Sequence, residues 1–441
     1  MTLNNRLSLA TALLLFLAAM PPAIAQIAGG SIVGNIFDPS GAPIPGAIVR
    51  ATNLASNQTT EVHTNGTGYY EFPLLPAGSY QIAVEHAGFQ RAENKAFDLN
   101  SGTRPRIDLT LAVGTLSENV QVVEKAPLLN TTSTDLGRVI EGSKVESLPL
   151  NGRNFQQLVG LQAGVVNSPG SSAGGRGGIE FNGSPALGNN LLLDGVDMSF
   201  GEVNGTASDA SGGASGGAHI NTVSVEAIAE FKATGSAFSA EYGRATGGIL
   251  SVTTKSGTNQ FHGTAYEYFR NDALDANNFF SNLGGLKKPP LRWNQYGGNL
   301  GGPLRKDRIF FFFNYEGAKV RQNAAIAGNV PTPALLAELP AKIADALRAL
   351  PATFTPTSNP LVGLHRRDDS RTDDENTYLS RVDGMFGLHR VAARFSYNQQ
   401  DVTIPNLRPE NRRFIQRAST TRSCRMAGLS APICLMKSAP A

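Results

Sequence analysis

Cysteine is almost missing from this chain. Cys424 and Cys434 are the only two, both within the last 18 of 441 residues. Everything before them can hold neither a disulfide framework nor a cysteine metal site. Histidine is sparse and scattered, at His63, His86, His219, His262, His365 and His389. None of these spacings suits a metal, and no cofactor is expected. A charge excess is lacking as well, with 38 basic against 35 acidic residues and a net charge of +3. That balance gives no general attraction to nucleic acid. Beyond the N-terminal segment there is no run of 18 apolar residues, so no spanning helix is expected. If the chain enters a membrane, it does so as a barrel. What it has in quantity is glycine (48) and the aromatics Phe (22) and Tyr (10), with a single Trp. That mixture suits short strands and loops better than helical bundles.

The first 25 residues read as an export signal. Arg6 supplies the positive start, Leu7 to Met20 the apolar stretch, and Ala23-Ile24-Ala25 the small-residue cleavage site. Cleavage is expected between Ala25 and Gln26.

Residues 26–113 read as a β-sandwich. Short alternating runs are separated by turn clusters at even spacing. Ile32, Gly34 and Ile36 alternate before Asp38-Pro39-Ser40-Gly41. Residues 47–51 form the next strand. Tyr70, Phe72 and Leu74 are expected to share one face, as are Tyr80, Ile82 and Val84, and Ile107, Leu109 and Leu111. The runs DPSGAPIPGAIV at 38–49, TNGTGYYEF at 64–72, LLPAGSY at 74–80 and AGF at 87–89 resemble the carboxypeptidase regulatory-like, transthyretin-like domain. That module carries no peptidase site and is grouped with carbohydrate-binding-like folds. Tyr69, Tyr70 and Tyr80 are its candidate sugar-stacking residues, although alternation turns Tyr70 and Tyr80 toward the core. The competing role is a spacer or docking module.

Residues 148–255 are the stretch around which the rest is organised. Leu191, Leu192 and Leu193 form an apolar run ending at the turn dipeptide Asp194-Gly195. Residues 223–232 alternate apolar and polar. Three runs carry a family resemblance: LPLNGRN at 148–154, NNLLLDGVD at 189–197 and EYGRATGGILSVTTKSGTNQFHG at 241–263. They resemble the plug domain of TonB-dependent outer-membrane receptors of the Oar-like kind. The resemblance implies a mixed α/β plug filling the lumen of an outer-membrane barrel, and no enzyme activity. It also implies a TonB energy-transducing complex as partner and an unknown substrate, a carbohydrate being one class.

Residues 114–147 link the sandwich to the plug. By the resemblance, Glu118, Asn119, Val120, Gln121, Val122, Val123, Glu124, Lys125 and Ala126 are the candidate TonB contact, an extended segment able to add to a partner's sheet edge. An ordinary linker strand is the other reading. Between 164 and 217, 15 of 54 residues are glycine, which predicts loops. Two G-x-S-x-G matches, at 170–174 and 213–217, lack the strand–turn–helix context of a nucleophile elbow and are not read as catalytic.

From 256 to 412 the pattern predicts the first strands of an incomplete barrel: 261–270, 293–300, 308–315, 377–386 and 390–399. The insert 320–376 is expected to face outside, with helical spacing at Leu336, Leu339, Ile343 and Leu347 despite Pro340. Residues 413–441 form an off-pattern tail without one acidic residue. Five strands fall far short of a barrel of about 22. The expectation is therefore a truncated or frame-shifted receptor, inactive in transport, whose native sequence ends near Arg412. The fold class is mainly β: sandwich, α/β plug, partial barrel. The expected location is the outer membrane, in contact with its lipid. The alternative function is a soluble or surface carbohydrate-binding module.

Overall fold

A computed structural model of the chain describes residues 29–114, 121–123, 137–150, 153, 155–168, 178–184, 188–197, 223–235, 238–240, 242–277, 279–283, 287–386, 389–404 and 413–428. The signal segment, its Ala25/Gln26 junction and both G-x-S-x-G runs lie outside these residues.

The N-terminal strands are β1 (Gly30–Phe37), β2 (Ile48–Asn53), β3 (Thr59–His63), β4 (Tyr69–Leu75), β5 (Gly78–Glu85), β6 (Ala92–Asn94), β7 (Phe97–Leu99), β8 (Leu109–Thr110) and β9 (Gln121–Val123). They form two sheets, ordered β4-β1-β8 and β3-β2-β5-β6-β9, with β7 also on β5. Alternation along each strand sends one residue in two into a shared core. Ile32, Ile36, Val49, Phe72, Ile82, Val84 and Leu111 are fully buried in it. The expected Tyr70-Phe72-Leu74 face needs one correction. The pairing of β1 with β4 slips between Gly30 and Ile32, so Leu75 rather than Leu74 enters the core. Pro73, with no amide to give the ladder, lies at that irregularity. Tyr70 and Tyr80 are buried, and the Tyr70 hydroxyl donates to the Ile107 carbonyl at 2.7 Å. Neither is a sugar platform. At Gly34 a Cβ would lie 1.8 Å from the Ile107 oxygen, so only glycine lets β1 approach that close.

The second unit contains β10 (Gly137–Glu141), α1 (Gly142–Ser147), β11 (Val165–Ser168), β12 (Gly178–Phe181), β13 (Asn190–Leu193), β14 (Val196–Asp197), β15 (Ile228–Thr234) and β16 (Ile249–Thr254). Its main sheet is ordered β10-β15-β16-β13-β14, parallel only between β13 and β16. It starts at Gly137, earlier than the expected 148, because β10 pairs along the length of β15. A 3₁₀ turn at Phe155–Leu161 closes one face with Phe155, Leu158 and Val159.

The third unit is one antiparallel sheet of long strands: β17 (His262–Asn271), β18 (Leu291–Arg305), β19 (Ile309–Pro331), β21 (Val362–Phe386), β22 (His389–Ile404) and β23 (Arg413–Gly428). The short β20 (Thr355–Pro356) pairs with β21. Of the five predicted strands, three fall inside these, and 261–270 and 308–315 each begin one residue before the observed strand. The insert 320–376 differs from its expectation, since β19 and β21 pair from Ile309–Gly384 out to Pro331–Val362. Its loop is confined to 332–361. Before that loop comes α2 (Phe279–Leu283), and within it lie α3 (Pro333–Glu338) and α4 (Ala341–Leu347). The predicted helical pattern is therefore split at Leu339-Pro340, where proline breaks the ladder. The tail also differs, because residues 413–428 pair with β22 as a sixth long strand. An open strand edge accepts almost any backbone that can extend, whatever its side chains.

The two faces of this sheet differ. Phe310, Phe312, Asn314 and Glu316 of β19 are buried toward the second unit, whose core includes Phe312 and Leu379. The other face exposes Leu300, Leu304, Phe313, Val382, Phe386 and Phe395. Along it runs a row of tyrosines, Tyr296, Tyr315, Tyr378 and Tyr397, with ring centroids 6.4, 4.9 and 6.2 Å apart. Polar inside, apolar outside and an aromatic row at one level is the arrangement of a membrane barrel wall.

Candidate functional site

The chemistry concentrates where the three units meet. The Asp194-Gly195 turn joins β13 to β14 with both residues at positive φ, 48° and 73°, as a two-residue hairpin requires. This pushes the Asp194 carboxylate toward the barrel wall. Arg394 donates to its Oδ2 at 2.7 Å and Arg381 to its Oδ1 at 3.3 Å. The Thr254 amide and hydroxyl complete the shell at 2.8 and 2.9 Å. Arg381 also forks onto Asp383 at 2.8 and 2.9 Å and donates to the Thr254 carbonyl at 2.9 Å. Burial alone would raise the Asp194 pKa. The two guanidinium groups and the Thr254 donors outweigh it and hold the carboxyl below its ordinary value.

A second cluster lies at the start of β15. Arg153 pairs with Glu226 and stacks over Tyr268, its guanidinium carbon 3.9 Å from the ring centre. The Tyr268 hydroxyl donates to Glu226 at 3.1 Å. Ser224 donates to Glu316 of β19 at 2.8 Å, and the Tyr266 hydroxyl reaches the same Glu316 oxygen at 2.9 Å. Side chains from the second unit and the barrel wall thus form one network of charged and hydroxyl groups.

The sandwich docks on both neighbours. Toward the second unit, the Ser101 amide donates to Glu230 at 2.6 Å, Lys232 donates to the Gly102 carbonyl at 2.8 Å, and the Thr253 hydroxyl donates to Ser101 at 3.1 Å. Burial raises the Glu230 pKa, opposed by the Ser101 bonds. Toward the barrel, Arg390 donates to Thr60 at 2.7 Å and to the Leu74 carbonyl at 3.3 Å. The Asn259 amide donates to the Ala55 carbonyl at 3.0 Å. Asn259 is tied in turn to Asp307, in the β18–β19 turn, at 2.7 and 2.9 Å.

Of the expected TonB contact, residues 121–123 are described and 118–120 and 124–126 lie outside the described residues. Gln121, Val122 and Val123 pair in parallel with Ala92, Glu93 and Asn94. Residues 121–123 are extended, and one of their edges is taken by the sandwich. Their other edge carries no strand among the described residues. The charged residues were not singled out in the sequence. Asp194 was legible only as a turn former, and Arg381 and Arg394 only as members of the strands expected at 377–386 and 390–399. Among the described residues there is no group of three or more metal-type ligands.

Comparison with known proteins agrees first on class. Residues 253–340 match the outer membrane beta barrel domain, and residues 31–112 match the carboxypeptidase regulatory-like domain. The particular relative is the TonB-dependent transporter Oar of Myxococcus xanthus, to which the chain is homologous. It is 26% identical over 313 residues, which cover 65% of this chain and 26% of that protein. The chain therefore spans about a quarter of the curated relative it matches. Among solved structures it is similar to the outer membrane transporter YddB of Escherichia coli, with a TM-score of 0.46 and 12% identity over 67% of this chain and 37% of that one. The siderophore receptor PirA of Acinetobacter baumannii gives a TM-score of 0.35 and 18% identity over 67% and 45%. The barrel-domain match and the homology to Oar support an outer-membrane location.

Proposed function

We propose that this chain carries the sandwich, the plug and the first barrel strands of a receptor for TonB-driven uptake across the outer membrane; with six long strands described against about 22 in such a barrel, transport by this chain alone is not expected. The second unit is the plug, and residues 118–126 are the contact for the TonB complex. The observation that carries the reading is the clasp on Asp194 by Arg381 and Arg394. A plug must be held firmly and still be able to leave. Charged contacts can be exchanged for water when the plug shifts, because each partner regains hydration; an apolar seal has no such compensation. The substrate binds from outside and no chemistry is done on it. Its class is open, carbohydrate included. The rival role of the sandwich as a sugar-binding module is disfavoured by the burial of Tyr70 and Tyr80. Docking against plug and barrel favours a structural role.

The test places a photo-cross-linking residue at Gln121 of the full chain in cells carrying TonB. An adduct with TonB in the outer-membrane fraction is expected, reduced several-fold by Val122→Pro. A chain that reaches the outer membrane without forming any TonB adduct would rule this reading out.

A further inference from the structure

We propose that the outer face of the β18–β19 hairpin binds the phosphate groups of an outer-leaflet lipid. The proposal rests on the reading that this face meets the membrane. The tyrosine row fixes the level of the boundary. On this hairpin the outward residues are apolar toward the Phe313 end and turn polar toward the other, while Phe269 of β17, exposed opposite Asn294, stays apolar beside them. Lys319 lies opposite Asn294 and therefore one pleat repeat beyond Tyr296, about 6.6 Å along the strand. Arg292 and Arg321 lie directly opposite each other one repeat further, about 13 Å from Tyr296 before any tilt is allowed for. Each headgroup layer is about 5–7 Å deep, so long side chains anchored at these heights reach lipid phosphate.

The pairing is unfavourable without a ligand. Like charges directly across a ladder repel. One carboxylate, Asp374 on β21, is engaged by both Arg321 nitrogens, one of them at 2.8 Å. Among the described residues no carboxylate pairs with Arg292 or Lys319. Glu267, on β17, shares this face opposite Tyr296, nearer the apolar band than either cation. Arg292 and Lys319 are both exposed. Three cations facing one engaged carboxylate, immediately above an aromatic belt, complement a phosphorylated headgroup whose acyl chains would lie on Leu300 and Phe313. A free phosphate would gain only the charged half of that surface.

The test uses the full chain refolded in uncharged detergent micelles, with strand content checked by circular dichroism. Native mass spectrometry then follows titrations with bisphosphorylated lipid A, with its dephosphorylated form and with inorganic phosphate. A saturable lipid A adduct is expected. Arg292→Gln with Lys319→Gln should weaken it at least tenfold, as two charges of about fivefold each would. Lys342→Gln, which removes a positive charge on the 332–361 loop, should leave it unchanged. Equal binding of the dephosphorylated form, equal loss in Lys342→Gln, phosphate binding as tight as lipid A, or no strand content would each overturn the proposal. Outer-membrane fractionation of the same variants in cells reads the membrane location separately.

Discussion

Asp194 is a largely buried carboxylate, held by two guanidinium groups and a threonine. Replacing it with Asn keeps the volume and removes the charge, leaving Arg394 buried without its counter-ion while Arg381 keeps Asp383. Breaking a buried pair in this way costs about 3–5 kcal/mol. The plug of Asp194→Asn should therefore open at markedly lower urea than the parent, read by protease sensitivity of the 188–197 hairpin. The pH dependence has a definite sign. The native pKa lies below 3.8, the value in the open chain. Its contribution is thus fully present above about pH 3.8 and lost as pH falls through the lower native value. Urea midpoints between pH 7 and 5 should show no loss traceable to Asp194, when parent and Asp194→Asn are compared. Gly34 is the other sensitive position. A methyl group there meets the Ile107 carbonyl at 1.8 Å, backbone that cannot swing aside. Gly34→Ala should destabilise the sandwich by about 3 kcal/mol, at the upper end for overpacking, and calorimetry of residues 29–123 would show it.

At the scale of elements, β9 is the most exposed to change. It holds to the sheet through three backbone pairs with β6. Val122→Pro removes an amide and fixes φ near −65°. Amide exchange at Gln121 and Val123 should then accelerate, while Ile82 and Val84 in β5 stay protected; slowed exchange at all four would contradict the pairing. The same scale shows what the sequence could tell. The strands of the sandwich were legible because one face is buried and one wet, as at Tyr80, Ile82 and Val84. The slip to Leu75 was not, since a bulge is decided by the partner strand. Strand β15 looked alternating, yet both its faces are covered, Phe231 by the plug core and Glu230 and Lys232 by the Ser101-Gly102 loop. Polar residues covered by another domain cannot be told from polar residues in water by pattern alone. The same limit hid Arg381 and Arg394, whose partner lies almost 200 residues away. The ladder beyond Val320 was missed because its polar outward residues stand above the apolar band, where alternation carries no hydrophobic signal.

At the scale of the whole molecule there are two apolar cores, one of sandwich residues and one shared by plug and barrel wall. Separate cores joined by hydrogen-bonded seams unfold as separate units. Residues 29–123 expressed alone should unfold in a single cooperative step, and a broad transition with no calorimetric peak would contradict this. In the full chain that step should persist when the plug is opened by Asp194→Asn, because no apolar side chain is shared between the two cores.

The sandwich seams also define a mechanical circuit. Among the described residues it is fastened to the plug at Glu230, Lys232 and Thr253, and to the barrel side at Arg390 and Asn259. Any sliding of plug against wall must tear one of these fastenings. The sandwich then travels with whichever side holds longer. Tension applied at β9 arrives on the sandwich as well as along the chain toward β10, so the domain acts as a shear key across the seam that has to slide.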